Sequence, residues 1–164
     1  MNMLPQSAAN FLRWTLVPET SVLVQSWAVL LLRVSAGSLI FYVHGWHKLE
    51  GWIAYLQHGT PWKLAEEVAE MHFPAPVASA LAATVVQSVC SLFLIAGLFT
   101  RINAALLTGV LGVAILQNLL AGRDPQLAVL YTLIVFTLAF VGGGRFSLDA
   151  RLTNRCAQTT GKNL

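Results

Sequence analysis

QSWAVLLLRVSAGSLIFYVHGWHK, residues 25–48, decides how the rest of the chain is read. Roughly 20 apolar residues at about 1.5 Å each span about 30 Å of hydrocarbon, so the stretch predicts a membrane-crossing helix. Arg33 separates it from a plain apolar rod. A guanidinium at mid-span costs about 2.5–3.5 kcal/mol or more, so it is expected to face a bundle interior, a wet cavity or a partner. Arg33, Gly37, Ile40, Phe41, His44 and Lys48 recur at steps of three and four and share one stripe of the helix. Arg33 reads either as a buried tether bonded to its neighbours or as a ligand contact.

Composition agrees with a membrane protein. Of 164 residues, 56% are hydrophobic and only 10% charged, against about 25% charged in ordinary soluble domains. The net charge of +3 comes from a basic tail after Val141 and reads as orientation rather than nucleic-acid binding. The two cysteines, Cys90 and Cys156, form no CxxC or Cys/His spacing, so neither zinc nor a disulfide framework is expected. No flavin, nicotinamide or haem-attachment motif is present. Met1–Thr20 lacks the compact apolar core and cleavage site of a signal peptide, and Phe11–Leu16 reads as an interfacial segment ended by Pro18.

Further apolar runs follow, and the spans are expected at about 25–45, 77–99, 102–120 and 126–142. A polar outer loop covers 46–76, and Thr100–Arg101 makes a tight turn. The predicted fold is all-α: a transmembrane antiparallel four-helix bundle over 24–144, between an interfacial segment at 1–23 and a basic tail at 145–164. With the N-terminus cytoplasmic, Arg13, Arg101, Arg145, Arg151, Arg155 and Lys162 lie inside, and Lys48, Lys63 and Arg123 outside. That bias puts both termini in the cytoplasm. Trp14, Trp27, Trp46, Trp52 and Trp62 fall at or just outside span ends, as interfacial anchors do. Thr60–Pro61 signals the start of a short amphipathic helix in the first extracytoplasmic loop, stopped by Pro74 and Pro76.

Depth counting supplies candidate sites. Arg33 lies about nine residues from the inner end of its span and Gln87 about ten, so the two are expected to face each other. Gln87 offers an amide oxygen but cannot cancel the charge, and no Asp or Glu lies within a span. A quinone head group or oxyanion is therefore expected near Arg33, with His44 and Gln126. At the outer ends, His47, Lys48, Gln117, Asn118 and His72 form a second polar cluster, with Glu70 nearby. His44 and His47, three apart with no fixed third ligand, do not make a metal site. Ala83, Gln87, Cys90 and Gly97 share one small-residue stripe and Ala105, Thr108, Gly109 and Gly112 another, both expected to pack helices closely.

Three phrases carry a resemblance: Arg33 with HGWHKLEG at 44–51, AGLFTR at 96–101, and GGGRFSLDARL at 142–152. Over roughly Leu30–Leu152 the chain resembles the DoxX family of small four-span bacterial membrane proteins. The resemblance implies work beside redox or thiol-stress enzymes, since the family takes its name from a membrane component of quinone-linked thiosulfate oxidation. By the same resemblance Arg33, His44, Gly45 and Lys48 match recurrent positions of span one, and Gly97 and Arg101 those of the second turn. Gln87 and Gln126 stand where many members carry acids, and the insert over 52–76 is longer than the family's connection.

The expected function is thus a membrane subunit or accessory of a redox system, at most its quinone-side subunit. Its partners would be the lipid bilayer, a redox protein and further copies of itself, with no nucleic acid and no cofactor beyond a quinone. A non-catalytic scaffold and an oligomeric transporter are the alternatives.

Overall fold

The computed structural model describes residues 22–160, so the readings made on Met1–Thr20, Arg13, Trp14 and Lys162 lie outside it, as does the Cys156 side chain. Every regular element among the described residues is a helix. Three are long and apolar enough to cross a membrane: α1 (Val22–His58), α3 (Pro76–Ala96) and α4 (Thr100–Leu120). The short helix α2 (Lys63–Glu70) lies between the first two. A shorter apolar helix, α5 (Gln126–Val141), follows α4. The last is α6 (Leu148–Thr160), in what reads from sequence as a basic tail.

The largest departure from expectation lies in the polar loop. α1 does not stop near residue 45 but runs for 37 residues, about 55 Å at 1.5 Å per residue. Local pairs carry it onward: Trp46 Nε1 donates to Glu50 Oε1 at 2.8 Å, and His47 Nδ1 lies 3.2 Å from Glu50 Oε2. Spacings of four and three place these groups on one helix face and stabilise it. Gly59, at φ +63°, ends the helix and donates its N–H to the Tyr55 carbonyl at 3.0 Å.

α2 likewise begins later than the Thr60–Pro61 signal indicates. Trp62 is the extended residue before it, and its carbonyl accepts the N–H groups of Ala65 and Glu66. Trp62 is also buried rather than interfacial, packed beside Gly51 and 4.9 Å from Trp52 between ring centres. Trp27 and Trp46 are about half exposed. α2 buries Leu64, Ala65 and Val68 and leaves Lys63, Glu66 and Glu70 outward.

α1 and α3 each widen into one π-helical turn, at Ile40–Gly45 and Val86–Cys90, and the two turns pack together. Such a turn takes up an extra residue and shifts the phase of everything after it. Close approach depends on glycine. A β-carbon on Gly45 would lie 3.2 Å from Ser88 Oγ, and one on Gly37 only 2.7 Å from Ile95. α3 stops at Ala96 because Gly97 takes φ +72°, where its N–H and that of Leu98 both reach the Phe93 carbonyl.

The main core lies between α4 and α5. Ala104, Leu107 and Leu111 pack against Tyr131, Val135 and Leu138. The small-residue stripe expected to pack α4 is turned away: nothing lies within 4 Å of a β-carbon on Gly109 or Gly112. The outer faces of the long helices are largely apolar, with Leu31, Ile102, Leu133 and Phe140 well exposed, which is stable only where lipid replaces water. Where α4 meets α3 it packs on the Val86–Ala96 half, while the Pro76–Val85 half packs on α2. A wedge is left between them.

Candidate functional site

Two polar centres sit at opposite ends of α1. At the end where α3 passes into α4, here the tail end, Arg33 is 1% exposed. Its side chain leans toward the start of α1, as helical side chains do. The guanidinium comes to rest among Gly97, Phe146 and Ser147, with Nη2 3.5 Å from the Phe146 carbonyl. Nε and Nη1 are buried without a protein hydrogen-bond partner. Opposite charge comes from Asp149, which acts on Arg33 electrostatically.

Asp149 is itself fully engaged. Its carboxylate accepts the N–H of Phe99 at 2.7 Å and the N–H and hydroxyl of Thr100, both at 2.9 Å, and so caps the start of α4 from a distant segment. Its own N–H donates to the Gly97 carbonyl at 3.0 Å. Ser147 caps α6, accepting the Ala150 N–H at 3.1 Å. These bonds join α1, the α3–α4 turn and the α5–α6 segment into one knot around a cation, which is the geometry of a tether.

Gln87 is not the partner of Arg33. Its side-chain oxygen accepts a hydrogen bond from Lys48 Nζ at 2.6 Å, at the other or loop end. The depth count fails because it sets the start of α1 level with the end of α3, whereas Gly37 lies beside Ser91 and Ile95 and Arg33 beside Gly97, so that Lys48 rather than Arg33 reaches the level of Gln87. Both residues stand just at or beyond a widened turn.

Lys48 forms part of the wall of a cavity of about 280 Å³ in the wedge between α3 and α4, roofed by α2. Leu64, Val68, Ala83, Val86 and Val110 make much of the remaining wall, and Gln117 closes one side. Gln117 Nε2 donates to Glu67 Oε2 at 2.6 Å, and Arg123 donates to Glu67 Oε1 at 3.0 Å. Glu67 therefore fastens α2 over the cavity. Phe73 and Val113, about 40% exposed, flank the opening toward the outer surface of the helices.

Of the other expected residues, His44 is half-buried with its ring 5.8 Å edge-on from Tyr131. His47 is exposed and pairs with Glu50. His72 and Gln126 are exposed and do not line the cavity, although Met71 and Phe73 on either side of His72 do. The Asn118 carbonyl holds the Arg123 N–H at 2.8 Å. Sequence reasoning missed three residues that organise these centres: Glu67, Ser147 and Asp149. A signal existed for two of them, since Ser147 followed by Asp149 has the composition of a helix start; Glu67 looks like any solvated acid.

The DoxX family profile matches residues 28–121, which include Arg33, Lys48, Glu67, Gln87 and Gln117. The chain belongs to the DoxX family. The match and the exposed apolar helices together make it a membrane-embedded protein. Searches among curated proteins and among solved structures return no match. The match ends before α5, so the Ser147–Asp149 arm of the tail-end knot lies beyond the matched part of this DoxX protein.

Proposed function

We propose that this DoxX-family protein is the ligand-holding membrane component of a redox system. The ligand is an amphiphile with a carbonyl-bearing head, a quinone being the natural case, seated in the cavity beside Lys48 and Gln87. In this reading the four apolar helices form an antiparallel bundle in a bacterial inner membrane, with both termini cytoplasmic. α2 is then an amphipathic roof on the far side, and electrons come from a separate redox protein.

One observation carries the reading: an ammonium group whose hydrogen-bond partner is a neutral amide forms part of the wall of an apolar chamber. Lysine has three donors and Gln87 takes one of them, so N–H groups remain to receive a carbonyl oxygen and to stabilise the negative charge that grows there on reduction. Arg33, expected from sequence to hold the ligand, is held in the tail-end knot and takes a tethering role instead.

Equilibrium binding of a radiolabelled short-chain ubiquinone to the protein in nanodiscs tests this. Lys48→Met should weaken binding at least about tenfold, the value of one charge-assisted hydrogen bond, while the protein remains folded. Equal binding by Lys48→Met and the parent protein would end the proposal. A second reading, a scaffold without redox chemistry, draws on the outward Glu66 and Glu70 of α2. A partner protein that co-purifies with the chain, with no quinone bound, would favour it.

A further inference from the structure

Lys48 faces two spaces. The chamber between α3 and α4 is one, and the other is a groove of about 390 Å³ between α1 and the chain that enters α2. The two share Lys48 and Leu64 and otherwise have different walls. Aliphatic side chains dominate the chamber, which opens between Phe73 and Val113, whereas His47, Thr60, Lys63 and Glu67 line the groove beside Ala54. His47, Thr60 and Lys63 are exposed and polar, so the groove opens to water at the loop end. Lys48 is half-buried between the two, and its Nζ donates to Gln87 Oε1 at 2.6 Å. The ionisable groups around it are His44 and His47 on α1 and Lys63 and Glu67 on α2, while α3 and α4 present the neutral amides of Gln87 and Gln117. Glu67 attracts the ammonium electrostatically while its own oxygens are bonded to Gln117 and Arg123.

We propose that the groove supplies protons from water to Lys48 and that Lys48 passes them to a reduced ligand in the chamber. The inference rests on the quinone reading above and makes Lys48 a proton donor as well as a hydrogen-bond donor. Two electrons from the redox protein, with one proton from water on the distant oxygen, turn the quinone into a quinol monoanion whose charged oxygen lies at Lys48. An N–H bond of the ammonium then breaks as an O–H bond forms on that oxygen, leaving a neutral quinol and a neutral amine. The amine lone pair draws a proton from the aqueous phase through the groove, which restores the ammonium. A phenol and an alkylammonium hold their protons about equally, so the transfer meets no large energy step. The opening between Phe73 and Val113 cannot serve instead, because hydrocarbon holds no water to carry protons.

The full chain in nanodiscs loaded with short-chain ubiquinone tests this. Ala54→Trp, and separately Thr60→Trp, fills the groove from a residue that does not line the chamber. Stopped flow follows dithionite reduction of the bound quinone in light and in heavy water. Without quinone, NMR of protein carrying nitrogen-labelled lysine follows exchange of the Lys48 ammonium protons with water. Expected in both filled variants is quinone binding equal to the parent's, with reduction and exchange each slowed at least about tenfold and a larger solvent isotope effect. Val113→Trp at the other opening should leave both rates unchanged. Parent-like reduction or exchange in the filled variants overturns the inference, and so does equal slowing by Val113→Trp. Slower reduction with an unchanged isotope effect also overturns it, since the groove would then only admit dithionite. Loss of quinone binding in the filled variants would place the ligand in the groove and end the idea as well. A parent protein that binds no ubiquinone would remove the quinone reading and this inference together, whereas the other outcomes on rates leave that reading standing.

Discussion

Arg33 Nη1 occupies the space that a β-carbon on Gly97 would need. The glycine is therefore required twice, once by its positive φ and once by the guanidinium lying on it. Gly97→Ala should destabilise the protein by about 2–4 kcal/mol, combining left-handed backbone strain with overpacking. Thermal unfolding in detergent measures this as a lowered Tm. An unchanged Tm would mean that Arg33 has another resting place.

Asp149 closes the same knot from the far side, and its two roles can be separated. Asp149→Ala removes the cap on α4, at about 1–2 kcal/mol, and also leaves Arg33 without its countercharge. Asp149→Asn keeps an acceptor for one backbone N–H but no charge. If the countercharge matters more than the cap, Asn should be nearly as unstable as Ala; if the cap dominates, Asn should recover most of the loss. Chemical denaturation of the three proteins distinguishes the two.

The Lys48–Gln87 hydrogen bond makes a prediction about pairs of substitutions. Gln87→Leu leaves Lys48 without its acceptor and should cost about 1–3 kcal/mol. Lys48→Met/Gln87→Leu removes both polar groups and should lie closer to the parent than Gln87→Leu alone. Strict additivity of the single changes in a double-mutant cycle would show that the bond carries no coupling energy.

Glu67 should control α2 rather than the whole fold. Its pair with Arg123 is partly exposed, with side chains 17% and 52% accessible, so its net worth is at most about 1 kcal/mol. Glu67→Ala should speed amide exchange across Lys63–Glu70 severalfold and shift the global Tm little. Unaltered exchange in α2 would mean that Leu64 and Val68 hold the roof without the acid.

The apolar helices were legible because hydrophobic runs of this length have few other uses, and Arg33 was legible as buried because lipid rejects it. Helix ends were read well where a strong signal stood at the boundary, as at Pro76 and Pro125, but the turn expected at Thr100–Arg101 lies earlier: Gly97 ends α3, and Thr100 and Arg101 already belong to α4. The stretch WHKLEGWIAYLQH was read as a loop since its polar residues suggest one, yet its Trp46–Glu50 and His47–Glu50 pairs support a helix that only coordinates reveal. The partner of Arg33 was mistaken because depth was counted from span ends taken as level, and hydropathy does not show that Arg33 lies beside Gly97 at the very end of α3. Glu67 gave no sign of itself, because its neighbours Gln117 and Arg123 come from another helix and the turn after it.

The widened turn at Ile40–Gly45 acts as a clutch between two helical phases. An α-helix advances about 100° per residue, so restoring ordinary winding there without removing a residue would swing everything beyond it by about that angle, whereas deleting the extra residue along with the bulge would leave the phase beyond it as it is. In the first case Arg33 would stay in its knot while the ammonium of Lys48 turned away from the chamber. A change of winding at one turn, with no side chain altered at either centre, would thus uncouple anchorage from reception.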